Sequence, residues 1–193
     1  MGKTLLATIV VSAALFAQSQ TLEELRERFD EIEDFRVEVE QSYNGGSRAS
    51  GTFYFRKPND ARLEFDDFTI VSDGETTWNY NKRENKVIVS DFVGDEPSAM
   101  TLPEVVNDLP AMCAVEETAE GELLFTPKAG ERLSFQTVTL RPTDDDLVGS
   151  LAVVDLNGGT LTMTMTNYRV DAGVASSKFE FVAPEGARVI DLR

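Results

Sequence analysis

The feature that most constrains the fold of this chain is a long series of short alternating segments joined by tight turns. From Phe35 onward, apolar and polar residues alternate with a period of two, which is typical of β-strands with one buried face. The connections are too short for crossovers, so consecutive strands are expected to pair antiparallel. The predicted strands are 35–40, 47–56, 61–65, 69–72, 76–81, 86–90, 123–127, 133–141, 147–155, 160–170 and 178–182.

Two regions show helical spacing instead. In the first, a capping box of Thr21 and Glu24 precedes apolar residues that recur at steps of three or four. These apolar residues are Leu22, Leu25, Phe29 and Ile32. In the second, an apolar pattern over 100–115 is interrupted by Pro103 and Pro110, which predicts two short helices rather than one long helix.

Together these elements predict one architecture. A single antiparallel sheet with this many strands must curl to bury one face, and the helices can cover its concave side. The predicted fold class is mainly β with helices (α+β), in the form of a strongly curved, incompletely closed antiparallel β-barrel wrapped over a helical lid. No composition shift divides residues 20–193, so they are expected to form a single domain.

The N-terminus has the pattern of an export signal. Lys3 supplies a positive charge, residues 5–16 are an apolar run, and Ala17-Gln18-Ser19 offers small residues for cleavage. The alternative is a membrane anchor, but a largely apolar run of twelve residues is shorter than the roughly 20 that span a bilayer. We therefore predict a signal peptide over 1–19 and a soluble, exported chain after it.

Composition argues against several functions. A net charge of −16 makes nucleic acid a poor partner. The absence of histidine removes the commonest general base and the usual metal ligand, and no Gly-x-Ser-x-Gly elbow is present. The single cysteine, Cys113, cannot form an intramolecular disulfide and is expected to be a buried apolar residue. We expect a binding protein without a catalytic site, metal or cofactor.

The concave face of the predicted sheet is then the candidate binding surface. A plain packed core is the alternative interpretation, and a register slip of one residue would turn any strand over. The candidate cavity residues on the strands are Phe53, Phe55, Leu63, Phe65, Trp78, Tyr80, Val87, Val89, Leu151, Val153, Met163 and Met165. Those on the helices are Leu25, Phe29, Met100, Val106 and Met112.

Five motifs, in order along the chain, resemble the LolA family of periplasmic lipoprotein carriers. They are 51–58 (GTFYFRKP), 73–81 (DGETTWNYN), 125–128 (FTPK), 178–181 (KFEF) and 184–191 (PEGARVID). The resemblance implies a monomeric periplasmic chaperone without a cofactor. Such a chaperone receives acylated lipoproteins from an inner-membrane ABC-type complex, shields their acyl chains in an apolar cavity, and passes them to an outer-membrane receptor.

The resemblance also implies a latch. In the family a basic residue before the proline, usually arginine, donates hydrogen bonds to carbonyls of the lid. Here Lys57 precedes Pro58, and Arg56 is the second candidate. Lysine lacks the planar fork of arginine, so the closed form could be held differently. Two other functions stay open: a module with the same fold that senses envelope stress, lipid or lipoprotein, and an enzyme acting on lipid, against which the missing histidine argues.

Overall fold

The computed structural model describes residues 19–46, 48–91 and 102–193. The predicted signal peptide, apart from Ser19, lies outside this part of the chain, and so does Met100. The helices are α1 (Gln20–Glu31), α2 (Leu102–Asn107) and α3 (Leu109–Met112). The strands are β1 (Asp34–Tyr43), β2 (Arg48–Arg56), β3 (Asp60–Phe65), β4 (Phe68–Asp73), β5 (Thr76–Asn81), β6 (Lys86–Asp91), β7 (Cys113–Glu117), β8 (Leu123–Pro127), β9 (Phe135–Pro142), β10 (Val148–Asp155), β11 (Thr160–Val170) and β12 (Arg188–Asp191).

All twelve strands belong to one open, curved sheet, as predicted. Their order is β12-β6-β5-β4-β3-β2-β1-β11-β10-β9-β8-β7. The strand β1 lies between β2 and β11 and pairs antiparallel with both. The strand β12 was not predicted, and among the described strands it is the one that pairs parallel, with β6. The order ends at β12 and β7, so the sheet remains open, and the helices cover its concave face.

The two prolines of the second helical region begin helices rather than interrupt one. Pro103 and Pro110 each occupy the second position of a short helix, where a missing N–H costs no hydrogen bond. The predicted pair of helices is therefore present. The predicted helical region does not reach Val115, however, because this residue lies in β7 and pairs with Phe125 of β8.

The start of α1 differs from the predicted capping box. The N-cap is Ser19, whose hydroxyl accepts from the Leu22 amide at 3.2 Å. Thr21 is inside the helix, and its hydroxyl donates instead to Glu117 of β7 at 2.6 Å. Glu24 accepts from the side chain of Gln20 at 2.7 Å. The Thr21 hydroxyl, which the sequence pattern assigned to the helix cap, therefore binds the carboxylate of Glu117, 96 residues away.

The centre of the core is an aromatic cluster around Phe35 of β1, which is fully buried. Its ring lies 6.0 Å from that of Phe29 in α1, and 5.6 and 5.3 Å from those of Phe53 and Phe55 in β2. The ring of Tyr168 in β11 is 5.7 Å away. Such centroid separations are favourable for aromatic pairs, and here they join α1 to the middle of the sheet.

The predicted strand over 178–182 is wrong. The chain forms a 3-10 turn at Ser176–Lys178 and then crosses the outer, convex face of the sheet without pairing. We call residues 175–187 the C-terminal strap. The apolar residues Phe179 and Phe181 alternate as in a strand, but they pack onto side chains of the sheet instead of entering its ladder.

Candidate functional site

Most of the predicted cavity residues face the helices. Register fixes this, because partners across an antiparallel pair share a face: Phe53 lies opposite Leu63, and Leu151 lies opposite Met163. The strand residues that contribute to or pack against the concave core are Phe53, Phe55, Leu63, Phe65, Leu151, Val153, Met163 and Met165. From the helices, Leu25, Phe29 and Val106 are buried in the same core, and Met112 packs against it.

Four of the predicted residues lie on the opposite face, and their predicted inward orientation is wrong. Trp78 lies opposite Val71 of β4 and Val89 of β6, and Val71 lies opposite Arg62 of β3. Since Arg62 alternates with the inward Leu63, this whole row points outward. Tyr80 and Val87 pair with each other and share that orientation.

The outer face is apolar at this point because the C-terminal strap covers it. The ring of Phe181 stacks on Trp78 at 6.1 Å and lies 6.2 Å from Tyr80. Val71 and Val87 are completely buried, yet neither belongs to the concave core. The sequence pattern detected a buried face correctly but could not tell which face the helices cover.

The concave core encloses a small apolar cavity of about 60 Å³. Its walls come from five strands and from the first residue of α2. They are Val39, Phe53, Leu63, Leu102, Leu151, Met163 and Met165. Ligand pockets of proteins are usually roughly 300–1,000 Å³, so the helices fill most of the concave face in this conformation.

A second pocket, of about 170 Å³, lies where α1, α2 and the β2–β3 turn meet. We call it the mouth. Its floor is aromatic and its rim is polar. The lining residues are Phe29, Asp30, Phe55, Lys57, Pro58, Asn59, Pro103, Asn107 and Asp108.

Lys57 contacts the C-terminus of a helix that covers the sheet, namely α1. Its ammonium donates to the carbonyl of Asp30, in the last turn of α1, at 2.6 Å. Its backbone amide donates to the Glu33 carbonyl at 2.9 Å. The last carbonyls of a helix have no partner within it, so a cation here both satisfies a hydrogen bond and complements the helix dipole.

The same arrangement occurs at the other two helices, with residues that were not predicted. Arg26 of α1 donates to the carbonyl of Val106, near the end of α2, at 3.2 Å. Lys128 donates to the carbonyls of Ala111 and Pro110 in α3, at 2.7 and 3.2 Å. For these contacts the sequence offered one signal, the lysine next to a proline at a strand end, which Pro127-Lys128 shares with Lys57-Pro58.

Among the described residues, Arg56, the second latch candidate, forms no hydrogen bond with α1, α2 or α3. It forms an ion pair with Asp60, donates to the Ser176 hydroxyl at 2.7 Å, and lies 4.9 Å above the ring of Phe179. On the same face, the ammonium of Lys178 is 4.5 Å from the Tyr54 ring. The predicted role of Arg56 is therefore wrong: it holds the C-terminal strap on the outer face.

Glu117 links the N-terminus of α1 to the end of β7. Its carboxylate accepts from the hydroxyl of Thr21 and, at 2.7 Å, from that of Ser19. These hydrogen bonds, with that of Thr21 the stronger influence, lower the pKa of Glu117 below its usual range. Because α1 covers the concave face, the contact bears on how firmly that face is closed.

Reactive groups do not cluster at this site. Cys113 is buried in the core, and burial raises the pKa of its thiol, which makes the thiolate less accessible. Across residues 19–46, 48–91 and 102–193, no group of three or more Cys, Asp or Glu residues is arranged to hold a metal ion. Within the same residues, none of the helices is long and apolar enough to span a bilayer.

Comparison with solved structures agrees with the architecture. A crystal structure of an uncharacterized conserved protein from Thermus thermophilus superposes with a TM-score of 0.58. The match covers 89% of this chain and 99% of the other, at 15% sequence identity. At that identity the likeness concerns the fold alone.

Sequence comparison is more specific. An outer-membrane lipoprotein carrier protein from Actinobacillus pleuropneumoniae serotype 3 (strain JL03) is 21% identical over 97% of this chain and 91% of its own length. One from Leptothrix cholodnii (strain ATCC 51168 / LMG 8142 / SP-6) is 25% identical over 90% and 87%. The profile of the family "Outer membrane lipoprotein carrier protein LolA" matches residues 31–182. This match spans well over half of the sequence, and the chain therefore belongs to the LolA family.

Proposed function

We propose that this protein is a periplasmic chaperone that binds the acyl chains of lipoproteins between the concave face of the sheet and the three helices. One observation carries the proposal: in the part of the chain that the structure describes, three short and separate helices cover the apolar concave face. The names of its relatives, outer-membrane lipoprotein carrier proteins, supply the class of cargo.

The energetics of a carrier require such a cover. Each acyl methylene gains about 0.8 kcal/mol when it leaves water, so an exposed acyl chain would stay in the membrane or aggregate. A permanently open apolar cavity would bind cargo too tightly to release it. Helices that occupy the cavity in the free protein must move out on binding, and the lost packing of Val106, Phe29 and Leu25 offsets part of the gain.

The three cations set the closed state. Lys57, Arg26 and Lys128 each bind carbonyls at the end of a different helix. A cation at a helix C-terminus contributes about 0.3–1 kcal/mol when exposed and up to about 2 kcal/mol when partly buried. These contacts are small beside the transfer energy of an acyl chain. They can still shift the closed–open equilibrium several-fold, so we assign them the role of a divided latch.

The finer steps of the cycle are proposed by analogy with the LolA family. An inner-membrane ABC-type complex would load the acylated lipoprotein, and an outer-membrane receptor would accept it. The net charge of −16 suits this route, because it opposes adhesion to anionic membrane surfaces and to nucleic acid.

A competition experiment tests the proposal. A dye whose fluorescence rises in apolar surroundings should bind the native protein, and an acylated peptide should displace it whereas the unacylated peptide should not. Val39→Phe and Val89→Phe provide a matched pair, since both valines are buried but only Val39 lines the concave cavity. Each change should cost about 1–3 kcal/mol of folding stability through overpacking.

Only Val39→Phe should weaken binding of the acylated peptide. Equal displacement by both peptides, or an equal loss of binding in both variants, would refute acyl binding at the concave face. Binding without transfer to any membrane acceptor would instead favour a sensing module with the same fold.

A further inference from the structure

The mouth and the apolar cavity are two parts of one track. Phe53 lines the cavity and Phe55 lines the mouth, and these residues are neighbours on the inward face of β2. Two residues along a strand span about 6.6 Å. The helix α2 forms the shared wall, since Leu102 lines the cavity and Asn107 lines the mouth. An outward movement of α2 would therefore join the two spaces.

The rim of the mouth has an unusual balance of charge and amide groups. Among the described residues that line it, the carboxylates of Asp30 and Asp108 and the ammonium of Lys57 sum to a net charge of −1. The side-chain amides of Asn59 and Asn107 also line it, and they form no hydrogen bond with the described residues. An amide offers both donors and acceptors, so this pair can bind a ligand that presents N–H and C=O groups.

We propose that the mouth binds the uncharged amide and ester groups at the acylated end of a lipopeptide and disfavours lipids with an anionic phosphate. This inference rests on the proposed function, because it assumes that the acyl chains enter the cavity behind Phe55. The carboxylates of Asp30 and Asp108 repel a phosphate, while the amides of Asn59 and Asn107 match the amide and ester groups of the lipopeptide.

The test uses the full chain and two ligands with identical acyl chains: a diacylglyceryl-cysteinyl peptide with a blocked N-terminus, and phosphatidylglycerol. Both compete with a fluorescent acyl probe. We expect the lipopeptide to bind about tenfold more tightly, because one repulsive charge contact at the exposed rim can change the affinity by about this factor.

Asp108→Lys makes the mouth more positive by two charges and removes no capping hydrogen bond, because the Asp108 side chain makes none. It should reduce the preference for the lipopeptide to about threefold or less, by raising affinity for phosphatidylglycerol. Asp144→Lys is the control, since it makes the same charge change in the exposed β9–β10 turn and should leave the preference unchanged.

Replacing both Asn59 and Asn107 by alanine should lower the affinity for the lipopeptide and leave the affinity for the fluorescent acyl probe unchanged. If Asp108→Lys leaves the preference unchanged, or changes it no more than Asp144→Lys, the inference about the mouth is refuted while acyl binding stands. If neither ligand displaces the probe, the proposed function fails together with it.

Discussion

At the scale of single residues, Lys57 carries the clearest mechanistic prediction. Lys57→Leu removes the bond to the Asp30 carbonyl and should lower the free energy of unfolding by about 1 kcal/mol or less. It should favour the open form, so that an acylated peptide is retained longer and transferred to acceptor vesicles several-fold more slowly. Transfer can be followed by dequenching of a fluorescent acyl chain. Unlike Lys57→Leu, the variant Lys57→Arg keeps a cation at this position and should transfer the peptide as fast as the wild type.

Lys178→Leu is the matched control for this prediction. Lys178 also forms a charged contact, with Glu64 at 3.7 Å, but it belongs to the strap on the outer face. It should leave transfer unchanged. A similar delay in both variants would mean that loss of a surface cation, and not the release of α1, slows transfer.

A second residue-scale prediction concerns the close approach of β2 and β3 at Gly51. A Cβ atom at this position would overlap the Glu64 carbonyl oxygen and lie 2.8 Å from the Phe65 ring. Neither can move easily, because one is backbone and the other is buried. Gly51→Ala should therefore cost about 1–3 kcal/mol, measured by urea unfolding.

Gly159→Ala provides the contrast. Its Cβ would overlap the hydroxyl of Tyr43, which bonds to Asp155 at 2.8 Å. The side chain of Tyr43 is 51% exposed and can swing away, so the cost should stay below about 1 kcal/mol. Equal destabilisation at Gly51 and Gly159 would contradict this account of the sheet.

At the scale of elements, the attachment of α1 to β7 should depend on pH. Since hydrogen bonds in the folded state lower the pKa of Glu117, the stability they provide is present above the ordinary value of 4.5 and is lost as the pH falls through the lowered value. The carboxylate is exposed, so the effect is local. We expect hydrogen exchange of the first α1 amides to be slower in wild type than in Glu117→Gln at pH 7.

The two proteins should converge as the pH falls through the lowered pKa of Glu117 and the wild-type carboxylate becomes protonated. A difference that persists unchanged at low pH would show that the carboxylate charge is not what holds α1. Asp155→Asn is the comparison. The pKa of Asp155 is also lowered, chiefly by the hydrogen bond from Tyr43, but this residue lies at the end of β10 and does not bind α1.

The strands and helices also show which parts of the fold can be predicted from the sequence and which cannot. Strand alternation and turn residues are local signals, so they predicted the open antiparallel sheet and the two short helices after Asp91. The orientation of β5 and β6 was not predictable from alternation, since Phe181, about 100 residues later in the chain, covers their outer face. The contacts of Arg26 and Lys128 with lid carbonyls depend on tertiary packing that leaves no pattern in the sequence.

At the scale of the whole molecule, the sheet has two apolar faces with different covers. Short helices held at their ends by cations cover the concave face, whereas the C-terminal strap covers part of the convex face through Arg56, Lys178 and Phe181. The central claim is that acyl chains enter only beneath the helices. The aromatic motif around Trp78 then serves to fix the strap and does not touch the cargo.

Photo-crosslinking tests this claim most directly. A peptide whose acyl chain carries a diazirine is bound to the protein and irradiated, and the labelled residues are identified by mass spectrometry. The account predicts labels on concave residues such as Phe53, Leu151 and Met163, which disappear when an acylated peptide without the diazirine competes. Labels on Trp78, Phe181 or Val182 of the outer face, or the same labels from a photoreactive peptide without an acyl chain, would contradict it.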